Sequence, residues 1–187
     1  MNQMQPIQIV QTFVLWDTVP SAITSDLTKA VESVSAKVFF DAEDKPTKGE
    51  VVGLDQGVKE ALSKSGWELI PNHKAFEDSE FSVDLACKSH KLLIEIEKGK
   101  LPRLELDIMK MVAACNQFPE KWQLGALIVP ATYIKLPLEG RNTPYYYLKK
   151  RLKPLLRPLL ESSKMAGLLV IGYEDPRGTK GRLQATS

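Results

Sequence analysis

The hydrophobic pattern divides the chain into strand-like and helix-like segments. Alternating apolar positions over residues 7–15 predict a strand, and apolar residues at helical spacing over residues 27–38 predict a helix. A second helical stripe over residues 54–65 ends at Gly66, the residue type best suited to a left-handed C-cap. Further strands are predicted at residues 67–70, 82–86, 92–97, 124–129 and 168–173, and further helices at residues 104–115 and 145–164.

This element order predicts an α/β fold with a mixed central sheet flanked by helices. The run at residues 124–129 is continuously apolar, which is typical of a central strand covered on both faces. Pro154 and Pro158 must kink or split the last helix, because proline has no amide hydrogen to donate. We expect one domain over residues 1–187. Its parts are a core at about 50–130, an N-terminal strand–helix extension at 1–47, a C-terminal helical stretch and strand at 140–174, and a flexible tail at 175–187, with a loop at residues 44–49 between the extension and the core.

Composition excludes several classes of protein. No apolar run reaches the roughly 20 residues that cross a bilayer, and residues 1–6 lack the basic and apolar parts of a signal peptide, so we expect a cytoplasmic protein with no membrane partner. Cys87 and Cys115 lack metal-site spacing and are expected to be buried thiols. Glycine-rich phosphate loops are absent, which argues against an ATPase or a dehydrogenase.

A polar turn between two predicted strands fixes the register of a hairpin. With the turn centred between Ser89 and His90, one side of the hairpin is apolar, as a buried face should be. The apolar pairs are Val83 with Ile96, Leu85 with Ile94 and Cys87 with Leu92. The other side then sets Asp84 opposite Glu95, with Glu97 beside them. Three carboxylates are therefore expected to converge on one patch.

Carboxylates placed opposite each other destabilise a sheet unless a cation lies between them. Carboxylate oxygens are the ligands that Mg²⁺ prefers, and phosphoryl transfer is a common reaction at such sites. The alternative is that Glu95, Glu97 and Lys98 form the solvent side of an exposed strand. A histidine mechanism would instead require His90 in the turn to act with His73.

The order of charged residues resembles the core of the PD-(D/E)XK nucleases. Its elements are Asp84, the segment Glu95-Ile96-Glu97-Lys98-Gly99-Lys100, and a helix with Glu105, Asp107 and Lys110. More narrowly, the chain is similar to the BamHI and BglII group of type II restriction endonucleases, over about residues 50–130. Most of the superfamily has lysine at the third motif position, whereas this chain has Glu97, as BamHI has glutamate. The resemblance implies a restriction-endonuclease-like fold.

The resemblance also implies roles for the site residues. Asp84 and Glu95 would bind one or two Mg²⁺ ions, and Glu97 would be the general base. Asp55, near the start of the preceding helix, is the preferred further metal ligand over Glu60, although an acid there also suits the helix dipole.

Four basic residues are expected to contact DNA: Lys98, Lys100, Arg103 and Lys110. Lys98 would point to the opposite face of a regular strand, so it is a poor replacement for the usual motif lysine. A second basic segment follows residue 141 and is opposed only by Glu161. Its members are Arg141, Lys149, Lys150, Arg151, Lys153, Arg157 and Lys164. It either contributes to a DNA-facing surface, flanks a dimer interface, or is a solvated helix face.

These observations predict a magnesium-dependent endodeoxyribonuclease that hydrolyses phosphodiester bonds of double-stranded DNA. A type II restriction endonuclease acting as a homodimer is the leading hypothesis, because two copies of one site related by a twofold axis can cut both strands. A junction-resolving or repair nuclease would use the same acids. A catalytically inactive DNA- or partner-binding module is the alternative outside the enzyme class.

Overall fold

The computed structural model describes residues 6–39, 51–74, 80–98, 103–131 and 143–174, together with residue 176. The strands are β1 Ile9–Asp17, β2 Leu69–Lys74, β3 Ser82–Cys87, β4 Leu92–Ile96, β5 Leu124–Pro130 and β6 Gly167–Tyr173. The helices are α1 Ser21–Glu32, α2 Val52–Lys64, α3 Leu104–Gln117, α4 Pro144–Tyr147 and α5 Lys153–Glu161, with a π-helical segment, Leu148–Leu152, between the last two. The predicted loop after residue 43 and nearly all of the predicted tail lie outside the described residues.

The six strands form one mixed sheet, as the hydrophobic pattern predicts. Their spatial order is β1-β6-β5-β4-β3-β2. Strands β4, β5 and β6 run parallel, whereas β1, β3 and β2 join the sheet through antiparallel pairs. The first and last described strands, β1 and β6, pair at one edge, so the terminal segments belong to the same sheet as the predicted core.

Helices cover both faces of the sheet and create two hydrophobic layers. The first layer contains α1 and α2, and it receives Ala126 and Ile128 from β5. The second layer contains α3, α4 and α5, and it receives Leu127 and Val129. All seven residues of β5 are buried. The continuous apolar run therefore arises because alternate side chains of this strand fill opposite layers.

The last helical stretch changes its hydrogen-bonding pattern just before Pro154. In the π-helical segment the Lys153 amide donates to the Leu148 carbonyl, five residues earlier. Pro154 follows as an early residue of α5, where a missing amide hydrogen is tolerated, and Pro158 lies inside α5. The predicted split is therefore wrong: the stretch stays helical from residue 144 to residue 161, and the irregularity is a widened turn within it.

The described residues also bear on the cysteines and on the length of apolar helices. Cys87 and Cys115 are buried free thiols. Among the described helices, none has the length and apolar character needed to cross a membrane.

Gly66 provides a test of the fold. Its φ angle is 86°, and a Cβ at this position would meet no atom within 4 Å, so substitution would strain the backbone alone. We expect Gly66→Ala to lower the free energy of unfolding by about 1 kcal/mol. Lys64→Ala, in the exposed last turn of α2, should change it by less than about 0.5 kcal/mol. Urea unfolding measures both, and equal stability of the two variants would contradict the assignment.

Candidate active site

The β3–β4 hairpin forms in the predicted register but opens at its far end. Leu85 pairs with Ile94, and the next two pairs also match the prediction. The paired ladder ends there, and Oδ2 of Asp84 accepts a hydrogen bond from the Ile96 amide at 2.7 Å. Val83 packs into the second layer, whereas Leu85 packs into the first. The predicted Val83–Ile96 pair is therefore wrong, because the strands separate and a carboxylate takes the place of backbone pairing.

Glu95 lies inside the sheet and not on its solvent side. Its strand, β4, has β3 on one side and β5 on the other, and Glu95 is only 5% exposed. The alternative of an exposed strand is therefore wrong. Glu97 is the first residue after β4, and its amide donates a hydrogen bond to the Ile128 carbonyl of β5 at 2.8 Å. The Tyr173 hydroxyl donates to the Glu97 carbonyl at 3.0 Å, so the backbone of Glu97 is held from two neighbouring strands.

Helix α3 brings a second acid and a lysine to Glu95. The Lys110 ammonium lies 2.6 Å from Oε1 of Glu95 and 2.8 Å from Oδ1 of Asp107. It also donates to the Ser82 carbonyl at 3.1 Å. Asp107 is 3% exposed. Lys110 therefore connects β3, β4 and α3 through one buried ammonium group.

These residues line a cleft of about 480 Å³ at the open end of the hairpin. Its acidic lining residues are Asp55, Glu80, Asp84, Glu95, Glu97 and Asp107, and its basic lining residues are Lys98, Arg103 and Lys110. Among the lining residues that the structure describes, acidic side chains thus exceed basic ones. A cleft with this charge favours a cation, and the cation would in turn attract an anionic group.

Most of the sequence-predicted site residues lie in this cleft. Lys98 forms an ion pair with Asp55 of α2, on the face of the sheet opposite to α3. Its side chain thus leaves the Glu97 face, as expected for a regular strand, yet it still lines the cleft. Glu60, the less favoured acid, accepts a hydrogen bond from Gln56 on the exposed surface of α2. Lys100 lies outside the described residues.

The two histidines pack against different tryptophans. The His73 ring contacts Trp122, with centroids 5.1 Å apart, and the His90 ring contacts Trp67 at 4.3 Å. Neither lines the acidic cleft. The described structure therefore gives no support to a paired-histidine mechanism.

Burial and charge crowding raise the proton affinity of two carboxyl groups. Burial, followed by the charges of Asp84 and Asp107, raises the pKa of Glu95 to about 8, although Lys110 opposes the shift. Burial also raises the pKa of Glu97 to about 8, reinforced by a hydrogen bond to Asp107 and by nearby negative charge. Lys110 keeps a raised pKa despite the opposing effect of burial, because it hydrogen-bonds to Asp107 and Glu95. The ammonium form of Lys110 is therefore favoured.

The chemistry of the donors suits a hard divalent cation. Carboxylate oxygens are what Mg²⁺ prefers, and Oδ2 of Asp107 is buried with no donor among the described residues other than a protonated Glu97. Within the described ranges, no group of three or more histidine, cysteine, aspartate or glutamate side chains forms a ready-made metal shell. Lys110 instead supplies positive charge between Glu95 and Asp107. Metal binding through Glu95 would therefore require this ion pair to rearrange.

Asp107 is the site residue to which sequence reasoning assigned no role. It lies three residues after Leu104 and four before Met111, both of which are buried on the same face of α3. A carboxylate on a buried helical stripe is costly unless it is paired, and that cost was the available signal. Its pairing with Lys110 three residues later is a second signal.

Comparisons with known proteins add no family assignment. No protein-family model matches the chain, and no curated protein matches it. The geometry of the cleft is therefore the basis for a functional proposal.

The raised pKa of Glu97 predicts how stability depends on pH. Because the folded chain binds this proton more tightly than an ordinary carboxylate with a pKa of 4.5, stability is lost as pH rises from 4.5 to about 8. Glu97→Gln removes this titration, so its free energy of unfolding, measured with urea in chelator, should fall less between about pH 5 and pH 8.5. Glu60→Gln, outside the cleft, should retain the parent's full decrease. An identical decrease in Glu97→Gln would contradict the raised pKa.

Proposed function

We propose that this chain is a magnesium-dependent endodeoxyribonuclease that hydrolyses phosphodiester bonds of double-stranded DNA. The observation that carries the proposal is the cluster of Asp84, Glu95 and Glu97 at the open end of the hairpin, beside Lys110. Glu95 is buried, and Asp84 and Glu97 are partly buried. Their order along the chain resembles the PD-(D/E)XK motif, with Glu97 at the third position. An acid cluster that is crowded and partly desolvated is more readily explained by chemistry than by folding.

Each residue of the cluster has a distinct role in this proposal. Asp84 and Glu95 would hold magnesium, and Asp55 is the further candidate ligand. Bound magnesium would polarise the scissile phosphate and make the attacking water more acidic. Glu97 would accept the proton of that water, and its raised pKa makes its ionised form a stronger base than an ordinary carboxylate. The hydrogen bond from the Ile96 amide fixes the orientation of Asp84.

Lys110 would provide the positive charge that most related motifs carry at the third position. Its ammonium group reaches Glu95 from α3, whereas the motif lysine would come from β4 itself. A carboxylate at Glu97 cannot stabilise the negative charge that builds up on the phosphate, but a nearby ammonium group can. The role of Lys110 would therefore be in the chemistry of the cleft and not in a DNA contact. Arg103, just before α3, is the proposed phosphate contact.

The natural substrate and the assembly are further parts of the proposal. A type II restriction endonuclease would act as a homodimer, so that two clefts cut the two strands. Lys149 donates to Gln11 at 2.9 Å, while Lys150 and Arg151 are exposed and available to DNA or to a second copy. A junction-resolving or repair nuclease would use the same cleft on a different DNA structure. A scan of plasmid, junction and single-stranded substrates separates these activities.

One observation favours a catalytically inactive binding module as the second candidate. Lys110 already pairs with Glu95 and Asp107, and the described residues hold no ready-made metal shell. If the ion pair is permanent, the cleft would not bind magnesium. Titration with magnesium, followed by calorimetry, decides between the candidates, since the inactive module should give no heat of binding.

Substitution of the two glutamates separates metal binding from proton transfer. Glu95→Gln removes charge from the metal ligands, so magnesium affinity and DNA cleavage should both fall. Glu97→Gln should retain metal-supported DNA binding while the cleavage rate falls by roughly 10²- to 10⁴-fold, as expected for loss of a general base. Glu97→Lys restores the usual motif residue and should cleave faster than Glu97→Gln. Glu60→Gln is the matched control, and full cleavage by both Glu95→Gln and Glu97→Gln would exclude this site.

Removal of the buried ammonium tests the role of Lys110. Lys110→Met leaves Glu95 and Asp107 without their cation, so the free energy of unfolding in chelator should fall by roughly 3 kcal/mol near neutral pH. Magnesium should restore part of this stability if the carboxylates bind it. Urea unfolding with and without magnesium provides the measurement. If magnesium leaves the stability of Lys110→Met unchanged, these carboxylates do not bind the metal.

A further inference from the structure

A second recess lies on the α3 side of the sheet and takes no part in the proposed chemistry. It is a groove of about 480 Å³, and we call it the lysine groove. Its lining consists of Lys74, Lys88 and Lys121 together with His73, Phe118, Glu120 and Trp122. Within the described part of the chain, the lining thus has three lysines and one acid. The acidic cleft has the opposite balance.

The lysine groove suits phosphate groups better than unstacked bases. Trp122 is only 2% exposed and packs against His73, so it forms the floor of the groove and offers no free face. The Lys121 ammonium lies over the Phe118 ring, 4.7 Å from its centre, and so covers one face of that ring. Base-binding grooves instead present open aromatic faces for stacking. The remaining chemistry is that of the lysine side chains, which bind phosphate as point charges.

The pKa of His73 reflects the positive charge of the lysine groove. Burial lowers the pKa of His73, and the charges of Lys88 and Lys121 lower it further. Two lysines from different parts of the chain therefore act on the same point. One follows β3 in the hairpin turn, and the other follows α3. A phosphate in the groove would offset both charges.

The lysine groove and the acidic cleft meet along the edge strand β2. Asn72 lines the cleft, while the next two residues, His73 and Lys74, line the groove. Asn72 has a φ of 47°, and no pair joins it to β3 although its neighbours on either side are paired. Lys74 pairs with Ser82, which lines the cleft. One extended anionic chain can therefore pass from the cleft into the groove.

We propose that the lysine groove binds the phosphate backbone of the DNA that flanks the scissile bond. The identity of the anion as DNA rests on the proposed nuclease function, whereas the anion site itself rests on the lysines and on the geometry of β2. Each phosphate that a lysine neutralises releases counterions from the duplex, so the groove would contribute salt-dependent affinity without reading sequence.

Proton NMR can follow the groove directly, because the chain has only two histidines. A short mixed-sequence DNA duplex is added in chelator, so that no cleavage occurs. We expect the His73 ring signals to shift and the pKa of His73 to rise towards its ordinary value, because phosphate charge offsets Lys88 and Lys121. His90, whose ring packs on Trp67, is the internal control and should respond much less. Equal shifts at both histidines, or none at His73, would overturn the proposal.

Charge removal provides a second, independent test. The variant Lys74→Ala/Lys88→Ala/Lys121→Ala should bind the duplex more weakly, and the slope of log K against log salt should decrease by roughly 0.9 for each phosphate that is no longer neutralised. The control variant Lys29→Ala/Lys59→Ala/Lys64→Ala removes the same charge from α1 and α2, on the other face of the sheet, and should keep the parent's slope. Equal slopes for the two variants would overturn the groove as a DNA site.

The two proposals fail in distinguishable ways. Absence of cleavage with any divalent cation would overturn the nuclease, while the binding measurements in chelator would still decide the groove. Poly-L-glutamate is the competing anion. If it shifts the His73 ring signals at the same concentration as the duplex, and its log K falls with log salt at the same slope, the groove binds acidic polypeptides, and DNA is overturned as the occupant. A duplex that shifts His73 where poly-L-glutamate does not supports the phosphate backbone.

Discussion

The ion pairs of Lys110 with Glu95 and Asp107 constrain the whole region of the acidic cleft. Two carboxyl groups and one ammonium lie close together where an unpaired buried charge would cost several kcal/mol. The 2.6 Å pair with Glu95 holds α3 against β4, and the hydrogen bond from Lys110 to the Ser82 carbonyl holds it against β3, while the 2.8 Å pair with Asp107 lies within α3 itself. The position of α3 therefore depends on charges as well as on its apolar stripe. A change of charge in the cleft would consequently act on helix packing and on chemistry together.

The opening of the hairpin follows from the same crowding. Regular pairing through Asp84 would bring its carboxylate directly opposite Glu95, which is unfavourable for like charges. The strands instead separate after the Leu85–Ile94 pair, and Asp84 turns one oxygen to the Ile96 amide. That bond keeps a buried backbone donor satisfied where the ladder ends. The opening avoids placing the two carboxyl groups opposite each other, and it is stabilised by a bond that requires an acceptor at position 84.

The sequence predicts the sheet and the hairpin well because both depend on short-range periodicity. The continuous apolar run of β5 and the register around Leu85 and Ile94 needed only strand alternation and a turn. The break at Val83 could not be predicted, because it depends on forces across the strand pair and on packing against α3. The place of Lys110 was missed for a related reason. Helical spacing predicts which way the Lys110 side chain points from α3. It does not predict that β4, with Glu95, lies in that direction, because this depends on how the helix packs on the sheet.

The charge balance of the cleft explains how a further carboxyl group, Glu97, can lie near Asp84 and Asp107. If position 97 were a lysine, its ammonium group and that of Lys110 would both lie near Glu95 and Asp107, and the two cations would repel each other. With glutamate there, the cluster gains a negative charge, and the ammonium of Lys110 becomes the available compensation. Burial raises the pKa of both Glu95 and Glu97, so this compensation is incomplete. Among the described residues, acids exceed basic residues in the cleft, and lysines exceed acids in the lysine groove beside it. The two recesses along β2 therefore have opposite charge, which is the arrangement that the proposed function requires: a divalent cation in one recess and phosphate groups in the other.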